Sequence, residues 1–239
     1  MHVDLELKAE CLENFFYFAK DFLGYKDLEW GVHGQFISVF ESGAPRKLVV
    51  MPRGTFKSTL GSVAYPIWRL LRNPDLTILL DSELYSNSKN FIREIKGHLQ
   101  SERMTRLFGD QVGDKWDEGE IILKTRRQNI KEASITAGGL GTTKVGQHFG
   151  LIIADDMNSP QNSENVEKCQ KVIDHMRYSL NILNPGGEYL IIGTRYHERD
   201  LIGFCLKDIL GEDKLAEGHL ELSTGLKSKQ ETELLIEGN

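Results

Sequence analysis

The stretch RKLVVMPRGTFKSTL (Arg46–Leu60) carries the strongest local signal in the sequence. An apolar run ends at Pro52, a turn containing Gly54 follows, and Lys57–Thr59 precede helix-forming sequence. Strand, tight loop, lysine, hydroxyl residue and helix is the order of a phosphate-binding loop, in which backbone N–H groups and the helix N-terminus face a polyphosphate. The lysine of such a loop contacts the β- and γ-phosphates, and the hydroxyl that follows it can ligate Mg²⁺.

The loop departs from the usual pattern G-x-x-x-x-G-K-[ST]. Counting back from Lys57, Phe56 and Met51 stand where glycines are expected, and Gly54 is the one glycine present. A lysine–serine pair after an apolar run also occurs by chance, so the loop alone leaves nucleotide binding open. The interpretation therefore requires an acidic partner further along the chain.

The composition is that of a globular protein. The 239 residues are 40% hydrophobic and 27% charged, enough for one large α/β domain, and no apolar run reaches the ~20 residues that span a bilayer. The three cysteines are far apart, and the N-terminus lacks the layout of a signal peptide, so a reducing cytosol is the simplest compartment. A net charge of -6 argues against strong autonomous binding of nucleic acid.

The segment LIIADD (Leu151–Asp156) supplies the acidic partner. An aliphatic run followed by two carboxylates predicts a buried strand that ends at the edge of a sheet where ligands bind in open α/β folds. Asp155 would hold Mg²⁺, and Asp156 would orient or deprotonate the attacking water. Alone, the pair is equally consistent with a turn and a helix cap. Together with the lysine–serine loop it favours nucleotide hydrolysis.

Two more tracts surround this strand. The glycine-rich tract Gly138–Gly146 is either a flexible connection or a mobile active-site loop that presents Lys144. The apolar segment Glu188–Ile192 ends at GTRYH, which would place Thr194 at the same edge of the sheet, within reach of the γ-phosphate or the water. Ahead of the loop, Gln35 is either an ordinary helix-start residue or a reader of adenine, because its amide both donates and accepts hydrogen bonds.

Hydrophobic periodicity and turn residues predict the remaining elements. Helices are expected over 5–23, 60–72, 86–108, 163–182 (capped at Ser163) and 199–210. Strands are expected over 48–51, 76–80, 151–156, 188–192 and 218–222, with a hairpin of 120–125 and 133–137, a loop over 109–119 and a turn at 184–187.

Four motifs occur in a fixed order: PRGTFKST, the glycine-rich tract with Lys144, LIIADD and IIGTRYHERDL. This set, over about residues 30–205, resembles the ATPase domain of the large terminase subunit, the DNA-packaging motor of tailed bacteriophages. The resemblance implies an α/β fold, a P-loop NTPase of the additional-strand (RecA-like) type with a mostly parallel sheet and helices on both faces. It also implies an ATPase that uses ATP and Mg²⁺.

The resemblance carries roles to individual residues. Arg53 corresponds to the arginine of the family's deviant Walker A loop, and Lys57 and Ser58 to its phosphate and Mg²⁺ positions. Asp155 matches the Walker B aspartate, and Asp156 stands where many members have the catalytic glutamate. The expected nucleotide-binding residues of the loop are Arg53, Gly54, Thr55, Phe56, Lys57, Ser58 and Thr59.

Three assignments outside the loop follow from the same resemblance. Thr194 matches the position that couples hydrolysis to movement, and Gln35 resembles the adenine-reading glutamine. Lys144 is comparable to the arginine finger that a neighbouring subunit supplies in trans, although a lysine offers a point charge without the guanidinium fork.

The implied organisation is an N-terminal helical segment on the adenine side (1–45), a P-loop ATPase core (46–205) and a C-terminal lid or linker (206–239). The chain is expected to be the motor domain of a longer protein, without the nuclease domain. The implied partners are double-stranded DNA, bound weakly by the isolated domain, the portal protein, the small terminase subunit and copies of the chain in a ring. The isolated domain is expected to be a monomer, and the protein to act in the host cytoplasm.

Two alternatives stay open. A superfamily 2-like helicase or translocase fragment shares the phosphate loop, but needs a second RecA-like domain, and GTRYH is not a helicase signature. A non-catalytic nucleotide-binding scaffold would also tolerate a loop without its glycines.

Overall fold

The computed structural model describes residues 2–142, 144, 146–209 and 235–238. The helices are α1 (His2–Glu13), α2 (Phe15–Tyr17, continued as a π-helix over Phe18–Phe22), α3 (Trp30–Glu41), a π-helix (Thr59–Ala64) continued as α4 (Tyr65–Arg72), α5 (Tyr85–Leu99), α6 (Glu102–Phe108), α7 (Val166–Asn181) and α8 (Leu201–Phe204, continued as a π-helix over Cys205–Ile209). The strands are β1 (Arg46–Val50), β2 (Ile78–Ser82), β3 (Val112–Trp116), β4 (Glu120–Leu123), β5 (Ile135–Ala137), β6 (Phe149–Asp155), β7 (Leu183–Gly193) and β8 (Leu235–Gly238).

Within these residues the strands form one sheet in the order β3-β4-β5-β2-β6-β7-β1-β8. The five central strands, from β5 to β1, are parallel, and β3, β4 and β8 pair antiparallel with their neighbours. β7 therefore lies between β1, which precedes the loop, and β6, which ends at Asp155. Because parallel strands bring their carboxyl ends to one edge, both motifs reach the same edge of the sheet.

Side chains of each central strand alternate between two cores, one on each face of the sheet. In β1, Val49 packs into the core formed with α1–α6, and Leu48 and Val50 pack into the core formed with α7 and α8. The sheet is thus covered by helices on both faces, as predicted. None of the helices that the structure describes is long and apolar enough to cross a membrane.

The predicted N-terminal helix over 5–23 is interrupted. The side chain of Asn14 accepts a hydrogen bond from the Tyr17 N–H at 2.9 Å and starts a new helix there. Phe15 is then fully buried against the aromatic rings of Phe40, Tyr65 and Trp68. The N-terminal helices therefore share their core with the helix that follows the loop.

The predictions for residues 86–119 were wrong in two places. The single helix expected over 86–108 is broken because Ser101 accepts from the Met104 N–H at 3.2 Å and caps a second helix, α6. The loop expected over 109–119 contains β3, an edge strand whose polar, half-exposed sequence VGDKW hides the alternation of a strand. The expected hairpin is confirmed, since β4 pairs antiparallel with β5.

The C-terminal half also differs in detail. Helix α7 begins at Val166 and is capped by Asn165, so the predicted cap at Ser163 was wrong. The turn expected at 184–187 forms part of β7, where Gly186 has a φ of 74° and the pairing with β6 shifts register. The strand predicted over 218–222, and most of the segment 206–239, lie outside the described residues.

Candidate active site

The loop between β1 and the next helix has two residues in the left-handed conformation. Gly54 has a φ of 82° and Phe56 a φ of 57°. Phe56 takes the place of the second glycine of the usual pattern, and its backbone has the conformation that glycine adopts at least cost. Its ring packs edge-on against the ring of His33 in α3, with 5.8 Å between centroids. Residues Gly54–Thr59 line a cavity of about 300 Å³, a size suited to phosphate groups.

The loop carries two positive side chains, Arg53 and Lys57, and Lys57 is only 6% exposed. Its ammonium group lies 3.2 Å from Oδ2 of Asp156. The ion pair joins the end of the loop to the end of β6, so the structure brings together the predicted phosphate-binding and water-orienting residues.

Asp155 is completely buried at the end of β6 and is held by two hydroxyl groups. Ser58 Oγ donates to its Oδ1 at 3.0 Å, and Ser62 Oγ donates to its Oδ2 at 2.6 Å. Burial raises the pKa of this carboxyl to about 6, while the hydrogen bonds from Ser62 and Ser58 act in the opposite direction. Sequence reasoning missed Ser62, although its spacing of four residues from Ser58 on a helix would have indicated a shared face.

Asp156 has a φ of 44°, a strained conformation for a residue with a Cβ. Its N–H donates to the Ile192 carbonyl at 2.8 Å, which holds the strained residue against β7. One carboxylate oxygen contacts Lys57, and Oδ1 is buried without a hydrogen-bond partner among the described residues. An acceptor in this position can take a proton or a hydrogen bond from a water molecule.

Thr194 joins β7 to the start of the loop. Its hydroxyl donates to the Met51 carbonyl at 3.1 Å, and the Met51 N–H donates to the Gly193 carbonyl at 3.1 Å. The predicted coupling residue therefore contacts the backbone of the loop directly.

β7 is thus an additional strand between the loop strand and the strand of the acidic pair, and each of the three ends at this site. The fold is that of a P-loop NTPase of the additional-strand type.

No protein-family model matches the sequence, and no curated protein matches it. Among solved structures, the chain is similar to the large terminase of bacteriophage HK97, with a TM-score of 0.49 and 11% identity over 76% of this chain and 35% of that chain. It is also similar to a mutant of the large terminase ATPase domain of Thermus phage P74-26, with a TM-score of 0.47 and 16% identity over 77% of this chain and 70% of that chain. The chain spans about a third of the length of the HK97 terminase.

The donor set at Asp155 fits Mg²⁺. Magnesium binds one or two protein oxygens and completes an octahedron with waters and substrate phosphates. Ser58 Oγ and Asp155 Oδ1 are two such oxygens, 3.0 Å apart. Groups of three or more histidine, cysteine, aspartate or glutamate side chains, which would suit a transition metal, do not occur in the described part of the chain.

Two predicted residues lie apart from this cluster. Gln35 is exposed on α3, and the residue of that helix whose ring packs on the loop is His33. Lys144 lies with its ammonium group 5.9 Å from the ring centroid of Tyr85 and lines a narrow cleft together with Asp81 and His175. The predicted roles of Gln35 in reading adenine and of Lys144 as a finger stay predictions.

Proposed function

We propose that this chain is the ATP-hydrolysing motor domain of a viral DNA-packaging terminase. The observation that carries the proposal is the convergence of Lys57, Ser58, Asp155 and Asp156 at one edge of the sheet, beside the end of β7. The order of the four sequence motifs, which resembles that of terminase large subunits, supports the choice among P-loop enzymes.

The residues of the site divide the reaction between them. The loop N–H groups and Lys57 bind the phosphates, and Ser58 and Asp155 hold Mg²⁺, which neutralises charge on the phosphate oxygens when bound. A phosphate that contacts Lys57 replaces Asp156 as its partner, which frees the carboxylate of Asp156. Asp156 then orients the attacking water and accepts its proton. The water oxygen bonds to the γ-phosphorus, and the bond from that phosphorus to the leaving ADP oxygen breaks.

Assembly and coupling form the second part of the proposal. Thr194, through its hydrogen bond to the loop backbone, transmits phosphate release to the part of the molecule that grips DNA. Copies of the chain form a ring at the procapsid portal, in the host cytoplasm, together with the small terminase subunit and double-stranded DNA. Lys144 of one copy completes the site of its neighbour.

The proposal is tested by hydrolysis of radiolabelled ATP. We expect Mg²⁺-dependent turnover that falls by about 10²-fold or more in Lys57→Ala and in Asp155→Asn. The first substitution removes a cation that contacts the phosphates, and the second weakens the binding of Mg²⁺. Lys26→Ala is the matched control, since Lys26 is an exposed lysine that pairs with Asp21 in the N-terminal region. If the wild type binds ATP but shows no turnover even under conditions that favour assembly, the chain is a nucleotide-binding scaffold.

A further inference from the structure

The side chain of Tyr196, which follows β7, contacts Arg53 of the loop in two ways. Its hydroxyl oxygen accepts hydrogen bonds from Nε and Nη2 of Arg53 at 3.1 and 2.6 Å. The guanidinium carbon lies 5.6 Å from the centroid of the tyrosine ring, within the range of a cation–π contact. Because two donors on one edge of a planar group meet a single acceptor, these contacts define the orientation of the guanidinium.

The rest of the guanidinium of Arg53 keeps its donors. Nη1 donates to no acceptor in the part of the chain that the structure describes, and no carboxylate there lies within ion-pair distance of the group. Arg53 directly precedes the residues that line the cavity of about 300 Å³. An arginine whose counter-charge is not supplied by the protein is suited to bind an anion, and its hydrogen bonds to phosphate are charge-assisted.

Tyr196 is itself held in place by a buried carboxylate. The N–H groups of Tyr196 and His197 donate to Oδ2 of Asp200 at 2.8 and 3.1 Å. Asp200 is fully buried, and its Oδ1 accepts from the Gly203 N–H at 2.8 Å, which caps α8. The turn that carries the tyrosine cannot shift without breaking hydrogen bonds to a buried carboxyl group, which is costly.

The position of this pair indicates which phosphate it would contact. Asp156, which orients the attacking water in the proposed reaction, hydrogen-bonds through its N–H to Ile192 of β7. Thr194, two residues further along, donates to the carbonyl of Met51. The end of β7 and the first residues of the loop therefore adjoin the place of the terminal phosphate, and Arg53 and Tyr196 belong to these two segments.

We propose that Tyr196 is the positioning residue for Arg53, and that the pair makes the loop prefer a nucleoside triphosphate to a diphosphate. The inference deepens the proposed function and rests on nucleotide binding by the loop. With Nε and Nη2 held by the hydroxyl of Tyr196, Nη1 of Arg53 is presented to the terminal phosphate. Orienting the side chain in advance lowers the entropy lost when the nucleotide binds.

The test is a double-mutant cycle measured by calorimetric titration of the full chain with Mg²⁺ and either a non-hydrolysable ATP analogue or ADP. Tyr196→Phe keeps the ring and removes the acceptor, so we expect about a fivefold loss of affinity for the triphosphate analogue. Affinity for ADP should change by less than about twofold, and Tyr196→Phe should have no further effect in the Arg53→Ala background.

Tyr25→Phe is the matched control, because the Tyr25 hydroxyl contacts Glu94 and His98 of α5 instead of the loop. The role of Tyr196 would be overturned if Tyr196→Phe lowered the affinities for the ATP analogue and for ADP equally. It would also be overturned if the substitution lowered affinity by the same factor in the wild-type and Arg53→Ala backgrounds. A Tyr196→Phe variant with wild-type affinity for both nucleotides would also overturn the role of Tyr196, but it would leave the proposed function intact. A wild type that binds neither nucleotide would overturn the proposed function and this inference with it.

Discussion

Phe56 and Asp156 are the two residues other than glycine with positive φ in the described chain, with values of 57° and 44°. A residue with a Cβ in this region costs about 1–2 kcal/mol relative to a relaxed backbone. Phe56 directly precedes Lys57, and Asp156 is the ion-pair partner of Lys57. At the scale of the residue, strain is therefore concentrated at the site where phosphate and water would meet.

The strain at Phe56 can be measured by comparing two truncations. Phe56→Ala and Phe56→Gly both remove the ring from His33, but glycine alone relieves the positive φ. We expect the glycine variant to be about 1 kcal/mol more stable than the alanine variant in urea unfolding. In ordinary backbone conformations alanine is the more stable of the two, so an alanine variant of equal or greater stability would contradict the strain.

The buried Asp155 predicts a pH dependence of stability. Because burial raises its folded-state pKa from an ordinary value of 3.8 to about 6, the folded chain binds this proton more tightly than the unfolded chain. Its contribution to the free energy of unfolding is greatest below about pH 4 and is lost as pH rises through about 6. Asp155→Asn cannot ionise, so its stability relative to wild type should rise by about 1–3 kcal/mol over this window.

The measurement is chemical unfolding of both proteins at several pH values. Asp174→Asn, at an exposed position of α7, controls for the loss of one negative charge. If the difference in unfolding free energy between wild type and Asp155→Asn does not change with pH, ionisation of Asp155 does not destabilise the folded protein.

At the scale of the element, the helix after the loop is placed by close contact with β7. Gly61 lies in the π-helical turn Thr59–Ala64, and a Cβ added there would lie 2.0 Å from Cδ1 of Ile192. The same turn carries Ser62, which donates to Asp155. The absence of a side chain at Gly61 therefore lets the helix approach the sheet closely enough for the Ser62 hydroxyl to reach the Asp155 carboxylate.

Gly61→Ala tests this packing. We expect a loss of about 1–3 kcal/mol in the free energy of unfolding, because the added methyl group displaces Ile192 or the helix. Gly97→Ala in α5 is the matched control, since nothing lies within 4 Å of a Cβ at that exposed helical position. There the better helix propensity of alanine should stabilise the chain by up to about 1 kcal/mol. If the two substitutions changed the free energy of unfolding by the same amount and in the same direction, the close approach at Gly61 would be contradicted.

At the scale of the whole molecule, Lys144 lies beside residues of its own chain, over the ring of Tyr85 and near Asp81 and His175. The described contacts do not join it to the ion pair of Lys57 and Asp156. If Lys144 serves a neighbouring copy, the activity of the chain depends on assembly.

We expect the specific ATPase rate of the wild type to rise with protein concentration, and that of Lys144→Ala to stay low. An arginine that a neighbour supplies to the transferred phosphate raises kcat by about 10³-fold or more. A lysine should raise kcat by a smaller factor. Steady-state turnover over a dilution series, with mass measured by light scattering, checks this. Robust turnover by a monomer, unaffected by Lys144→Ala, would contradict a role in trans.

The sequence by itself determined the parts of this protein that depend on local patterns. Apolar runs with turn residues after them predicted β1, β6 and β7, because each signal is contained in a few consecutive positions. The lysine–serine loop and the acidic pair predicted a set of candidate site residues in the same way. The breaks at Asn14 and Ser101 and the polar edge strand β3 were missed, since a single side-chain cap or an exposed edge hardly alters hydrophobic periodicity.

Only the tertiary structure decided which distant groups meet. The order β1-β7-β6 places Thr194 against Met51, the fold of the helix after the loop brings Ser62 to Asp155, and the turn capped by Asp200 brings Tyr196 to Arg53. Gln35 and Lys144 lie apart from the cluster around Asp155, although their motifs occur in the expected order. Motif order does not specify where a side chain lies in space. The contacts of this site join residues up to 143 positions apart, and such pairs are set by strand order and packing.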